Sequence, residues 1–342
     1  MLVATDRPRV GGGRVLMRPG RHHPTLLAAG LLSAAALALL WALVAGDMPI
    51  GLSEVFAALG GSEGMAADIV RELRLPRAVA AFVCGGLLAT AGALMQVLLR
   101  NPLADPYILG ISGGAAVGAL VALTLGAASI WVDTLAFGGA LTAMLLVFGL
   151  AHGDGSWTQT RLLLTGVIVA AGCGAAVTLM LALAPDTRVQ SMLFWLMGDA
   201  SGAARPWPGL AVLVLGLAAV MPFARDLNVL ARGELNARAL GVSVRKLRMG
   251  LYVLASLLTA TAVTLVGSVG FVGLIIPHLV RLVLGNDQRV LIPAAALAGG
   301  TLLTLADTAA RTVIAPQQLP VGVLTALIGV PVFLFLLARH PR

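Results

Sequence analysis

Ser112 is the residue that most invites a chemical reading. It stands in Gly110-Ile111-Ser112-Gly113-Gly114, which fits the G-x-S-x-G pattern of a nucleophile elbow. A serine nucleophile needs a base within hydrogen-bond reach. The candidate is His278, in Ile276-Pro277-His278-Leu279. The elbow also needs a strand before it, and the pattern around Ser112 is helical. A helix start with a polar serine and close-packing glycines is the plainer reading, and His278 reads as a packing or interfacial residue. Lys246 is the only lysine of the chain and lies between Arg245 and Leu247. A phosphate-binding Walker loop ends in Gly-Lys-Ser/Thr, so the chain has no such loop and cannot hydrolyse ATP by that route. Cys84 and Cys173 stand apart in Gly/Ala-rich stretches. Metal sites need clustered ligands, so neither a zinc site nor a disulfide framework is implied.

The elements that carry these residues are apolar. Of 342 residues, 59% are apolar and 11% charged, with a mean hydropathy of +0.96. Soluble domains carry about 25% charged residues. The composition predicts an all-α, polytopic membrane protein. It excludes a soluble enzyme, a secreted disulfide scaffold and a disordered tail protein. The net charge of +8 fits basic cytoplasmic loops. No basic patch is interleaved with aromatics, which argues against nucleic acid as a partner. A crossing helix needs about 20 apolar residues. About ten spans are read, at roughly 25–45, 77–98, 107–126, 131–151, 161–184, 208–223, 249–267, 271–285, 290–309 and 319–338. The sixth and eighth are short, and a count of eight or nine is the alternative. Met192 to Met197 reads as a short helix in or near the interface.

Residues 1–24 form a basic tail with Arg7, Arg9, Arg14, Arg18 and Arg21, followed by the transmembrane domain, 25–342. The apolar run after the tail is too long for a typical signal peptide, so the first span is read as uncleaved. With both termini in the cytoplasm, most of the 23 Lys and Arg side chains fall on the cytoplasmic side. Only Arg71, Arg74, Arg77, Arg188, Arg205 and Arg311 fall on the other, as the positive-inside bias requires.

Acids avoid the span centres: Asp133 is at a span start and Asp307 near a span end. A self-powered proton-coupled transporter uses a buried relay group, and none is found. The longest polar stretch inside is about 225–248, with Leu230, Leu235, Ala239 and Leu240 able to form one side of short helices and Gly241 suited to a helix stop. It reads equally as a ridge for a partner protein or as a positive-inside anchor. Arg74, Arg77 and Arg311 oppose the positive-inside bias. Their forks suit carboxylates on a partner surface, with pairing to Glu72 or Asp307 of the same chain as the alternative. Glycines within spans, including Gly85, Gly86, Gly92, Gly166, Gly172 and Gly174, suit close helix packing and leave room for a path.

Several stretches, in order, resemble one family. They are Arg74-Leu-Pro-Arg77, Gly92-Ala-Leu-Met-Gln96, Arg100-Asn-Pro-Leu-Ala-Asp-Pro106 and Leu109-Gly-Ile-Ser112. Later come Leu240-Gly-Val242, Gly270-Phe-Val-Gly-Leu-Ile-Ile-Pro-His278, Ala306-Asp307 with Ala310-Arg311, and Leu319-Pro-Val-Gly-Val323. Over residues of about 50 to 338 the chain is similar to FecCD-type permeases, the membrane subunits of importers for ferric siderophores, haem and cobalamin. The resemblance implies a type II ABC importer permease fold with ten helices. It implies a second permease subunit, as homo- or heterodimer, and an inner-membrane location among membrane lipid. It also implies an ATPase subunit inside and a substrate-binding protein outside. No cofactor belongs to this chain, ATP and Mg being held by the partner ATPase.

Carried over residue by residue, Arg74, Arg77 and Arg311 match the arginines that meet the binding protein. Arg232, Glu234, Ala237, Leu240, Gly241 and Val242 match the segment coupled to the ATPase. The path is expected beside span five, Leu162 to Leu183, at Gly166, Ala170, Gly174 and Met180. One departure is visible: the family often has Glu-Leu-Pro before the last span, where this chain has Gln318-Leu319-Pro320, which alters the pairing expected near Arg311. The cargo implied is a metal chelate, with a ferric siderophore first and cobalamin or haem as alternatives. The rival classes are a self-powered secondary transporter and a serine protease of the membrane interior, since Gly110-Ile111-Ser112-Gly113 also fits the GxSG of rhomboid proteases.

Overall fold

The structure, a computed structural model, describes residues 24–151, 159–203 and 205–339; the basic tail expected at 1–24 lies almost wholly outside them. In chain order the helices are α1 (Pro24–Val44), α2 (Leu52–Leu59) and α3 (Met65–Asp68), then a π turn (Ile69–Arg74) running into α4 (Leu75–Leu98). A 3-10 turn (Pro106–Leu109) precedes α5 (Ile111–Leu125), α6 (Ser129–Leu150), α7 (Gln159–Leu183), α8 (Asp186–Met197) and α9 (Trp207–Val220). The rest are α10 (Ala224–Ala231), α11 (Glu234–Ala239), α12 (Val244–Val266), α13 (Val272–Leu284), α14 (Gln288–Thr312) and α15 (Val321–Arg339). Among the described residues there is no strand. Seven helical segments among the described residues are long and apolar enough to cross a membrane, and α5, α13 and most of α15 are shorter apolar helices.

The bundle is built around α4, whose residues are apolar on every face and nearly all buried. A helix without a polar side has no face to give to solvent. In lipid the apolar effect does not separate helix from helix, so packing and close approach hold them. Small residues provide that approach. A Cβ on Gly85 would overlap the Gly299 carbonyl of α14, and one on Gly92 would overlap the Gly273 carbonyl of α13. The hydroxyls in these helices return to their own backbone: Thr90 Oγ1 donates to the Gly86 carbonyl at 2.7 Å and Thr308 Oγ1 to Thr304 at 2.8 Å. These threonine hydroxyls are thereby satisfied without water.

α14 runs antiparallel to α4, with Arg77 beside Asp307 at one end and Gln96 and Gln288 lining one cavity at the other. A small second core, with Ala42, Leu43, Ile50, Val55, Ala58, Val70 and Ala78, holds α2, α3 and the π turn against the end of α1.

Three sequence expectations shift. The third span begins at Ile111, since Pro106 opens a 3-10 turn and Gly110, at φ +72°, ends it. The short helix expected from Met192 starts earlier, at Asp186, just after Pro185. The seventh span, read from 249, begins at Val244, so α12 reaches into the polar stretch 225–248, whose remainder holds the short helices expected there.

Candidate functional site

Two polar ends and one exposed helix face carry the candidate chemistry. At the first end, Arg74 closes the π turn. Its Nη1 donates to the Leu43 and Val44 carbonyls, both at 2.8 Å, and its Nη2 to the Met48 carbonyl. The last carbonyls of a helix lack intrahelical donors, and Arg74 supplies them to α1. Arg74 is 5% exposed. Arg311 does the same from the last turn of α14, its Nη2 donating to the Ala42 carbonyl. Arg77 forks onto Asp307: Nε is 2.9 Å from Oδ2 and Nη2 3.0 Å from Oδ1. Its Nη1 donates to Gln318 Oε1 at 3.0 Å. The three arginines thus converge on one end, as the sequence placed them, and each has a partner in the same chain. Of the two acids weighed beforehand, Asp307 is the one that pairs. Gln318, expected to alter pairing near Arg311, sits on Arg77.

At the other end, α10 and α11 form a short helical pair. Gly233, at φ +127°, breaks the chain between them, and Gly241, at φ +80°, ends α11. Val242 N donates back to the Ala237 carbonyl at 2.9 Å, closing the turn. Ala237 is fully buried, whereas Leu235 and Leu240 are 83% and 71% exposed. Leu230, read as sharing their side, is buried in the main core; the break at Gly233 turns α11 away from α10 and separates the two sets. Glu234 ties α11 to itself and to α12, with Arg238 at 2.6 Å and Arg248 at 3.0 Å. Arg232 is exposed beside them. The result is a braced knob with two apolar side chains facing outward.

α7 is the least buried of the long helices. Leu162 and Gly166 face the bundle, and a Cβ on Gly166 would overlap the Ile108 carbonyl. Ala170 and Met180 are half-buried, and Gly174 is exposed with open space around it. Leu164, Val167, Ile168, Leu179 and Leu183 all point away from the subunit.

Ser112 lies at the start of α5, after a 3-10 turn and not after a strand. Its Oγ is 2.8 Å from Ser268 Oγ. A second serine cannot serve as the base a nucleophile requires. His278 lies within α13. Cys84 is buried in α4, 3.5 Å from the Ala262 carbonyl, and Cys173 is on α7; both are free. Asp105 caps the 3-10 turn by accepting from Tyr107 N at 2.7 Å, and burial pushes its carboxyl up to about 6. Sequence reasoning missed Ser268, and it missed the pair formed by Asn228 and Asp287. Asn228 Nδ2 donates to Asp287 Oδ1 at 2.8 Å and Asn228 Oδ1 accepts from Gln288 N at 2.8 Å, which pins α10 to the start of α14. An Asp before a long helix is a legible cap signal; its partner 59 residues away is not.

The chain is similar to several known proteins. It is 46% identical over 274 residues to the cobalamin import system permease protein BtuC of Halobacterium salinarum, covering 79% of this chain and 73% of that one. It is 41% identical over 282 residues to the hemin transport system permease protein HmuU of Yersinia pestis, covering 78% and 82%. A solved ABC transporter assigned to the metal-chelate type, in an inward-facing conformation, superposes with a TM-score of 0.82 at 29% identity, over 93% of this chain and all of that one. The family model described as the FecCD transport family matches residues 34–339. The chain belongs to that family, whose members are permease subunits of ABC importers without an ATPase site of their own.

Proposed function

We propose that this permease moves a metal chelate inward across the bacterial inner membrane, with both termini in the cytoplasm. A separate ATPase, which holds ATP and Mg, drives it, and a substrate-binding protein feeds it. The observation that carries the reading is the braced knob at Leu235 and Leu240. Large apolar side chains held rigidly in a polar, basic segment suit a partner's groove, and Glu234 links that knob directly to α12 through Arg248. A push on Leu240 is thereby delivered to a helix packed on α4.

The opposite end is the docking rim. Arg74 and Arg311 hold the end of α1, and Arg77 presents its fork with Asp307 and Gln318 already engaged. A carboxylate on the binding protein would share Arg77 and Arg311, which remain half-buried. α7 supplies the face toward a second permease subunit. Ala170, Gly174 and Met180 then lie beside the central path, whereas Gly166, expected there too, is packed against Ile108 inside the subunit; the small and apolar lining leaves selectivity to the binding protein. Two-fold pairing is the common solution for such subunits.

The cargo is read first as a ferric siderophore. Haem or cobalamin is the second reading, favoured by the similarity to the cobalamin and hemin permeases. Proteoliposome uptake with the cognate ATPase and binding protein tests the function. Uptake should require ATP and fall when Arg74→Glu is combined with Arg77→Glu. Unchanged uptake in that double variant counts heavily against the docking rim, and uptake by the chain alone without ATP contradicts the importer reading.

A further inference from the structure

At the end of α4 away from the arginine rim lies a cavity of about 570 Å³, within the roughly 300–1,000 Å³ range of ligand pockets. Three arginines line it: Arg100 from the loop after α4, Arg232 after α10 and Arg281 in the last turn of α13. Among the described residues none of the three has a side-chain hydrogen bond or ion pair. The one acid in the lining, Asp287, is engaged by Asn228 Nδ2 at 2.8 Å and Arg289 N at 3.1 Å. A cavity with three unpaired guanidinium groups and one occupied carboxylate attracts anions.

A second observation narrows the chemistry. Gln96 and Gln288, 3% and 2% exposed, also line the cavity. Each has a buried Oε1 without a partner, and Gln96 Nε2 is already committed to the Leu274 carbonyl at 3.0 Å. A buried acceptor left unpaired is costly. A bare anion would worsen that, since it brings further acceptors. A group that fits this lining therefore carries negative charge for the arginines and an O–H or N–H donor for the two glutamines. Basic pockets between membrane helices at the cytoplasmic side suit such head groups.

We propose that this cavity binds a phosphate group bearing adjacent hydroxyl donors, of the phosphoglycerol type. The same chemistry comes from a phosphatidylglycerol head group or from a soluble phosphoglycerol, and the test separates them. The site is read from this chain alone and needs neither the ATPase nor the cargo, so its failure leaves the transport reading untouched.

The full chain, stripped of lipid in detergent, is exposed to phosphatidylglycerol or phosphatidylcholine and examined by native mass spectrometry. In parallel it is titrated calorimetrically with glycerol 3-phosphate. Saturable retention of phosphatidylglycerol over phosphatidylcholine identifies the lipid source, and saturable heat with glycerol 3-phosphate the soluble one. In either case Arg281→Gln and Arg100→Gln should weaken binding roughly tenfold, while Arg289→Gln, outside the cavity, leaves it unchanged. Arg100 lies on an exposed loop, so its variant reads the site even if Arg281→Gln fails to fold. No binding in either arm, or binding indifferent to both substitutions, overturns the proposal.

Discussion

Arg77 Nε and Asp307 Oδ2 lie 2.9 Å apart, and the Arg77 Nη2 contact to Oδ1 makes the pair two-pronged. This fork joins the first turns of α4 to the last turns of α14, 230 residues apart in the chain. Both side chains are largely withdrawn from solvent. The rim from which a partner would be recognised is therefore also what closes that end of the bundle.

Removing one member of a withdrawn ion pair leaves the other uncompensated, at about 3–5 kcal/mol. Asp307→Asn and Arg77→Ala should each lower the melting temperature in detergent, followed by tryptophan fluorescence. The double variant should lose much less than the two losses added. Strict additivity would show that the pair is not coupled.

Glycine substitutions should divide by position. Gly92→Val forces α4 away from the Gly273 backbone and should abolish the folded subunit. Gly174→Leu meets open space, so the subunit should keep its melting temperature. If α7 forms the pairing face, the same variant should shift the particle from dimer to monomer in light scattering. A dimer that persists moves the pairing face elsewhere.

Leu240→Glu should leave stability unchanged within about 0.5 kcal/mol, since the side chain is exposed. It should nonetheless abolish ATP-driven uptake. Leu230→Glu buries a charge in the core and should prevent folding. Uptake retained by Leu240→Glu would remove the knob from the mechanism.

Acid titration offers a signed test. Burial raises the Asp105 carboxyl from 3.8 to about 6, so ionisation is disfavoured in the folded state. Its contribution is fully present below the unfolded value, falls between about pH 4 and 6, and is flat above. Asp287 has the opposite sign: the Asn228 amide and the Arg289 N–H hold it below its ordinary value. Its contribution is present above the unfolded value and is lost as pH falls. Asp105→Asn should therefore remove a decline in stability between pH 4 and 6, seen in melts across that range. Asp287→Asn should flatten the loss on the acid side.

Much of the architecture was legible because hydropathy is a local signal. Spans read at 77–98, 131–151, 161–184 and 290–309 match α4, α6, α7 and α14 to within a few residues. The motif order also named Arg74, Arg77 and Arg311, which the fold gathers at one end, and the segment around Leu240, which it leaves exposed. The partners of those residues were not legible. Arg74 meets carbonyls at Leu43 and Val44, some 30 residues earlier, which any side chain at those positions would present equally. Leu230 and Leu240 looked alike in composition, and only the positive φ at Gly233 assigns one to the core and the other to solvent. Three arginines scattered at 100, 232 and 281 carry no pattern until the fold brings them to one cavity.

The central claim is that a partner ATPase works on one end of this bundle and a binding protein on the other. The most direct measurement is affinity capture of the tagged chain from detergent-solubilised membranes, with mass spectrometry of what accompanies it. The account predicts a P-loop ATPase and a periplasmic-type binding protein with the wild type. It predicts loss of the ATPase alone with Leu240→Glu, and of the binding protein alone with Arg77→Gln combined with Asp307→Asn, which leaves neither charge unpaired. Recovery of the chain without either partner, together with substrate movement in liposomes lacking ATP, would contradict it.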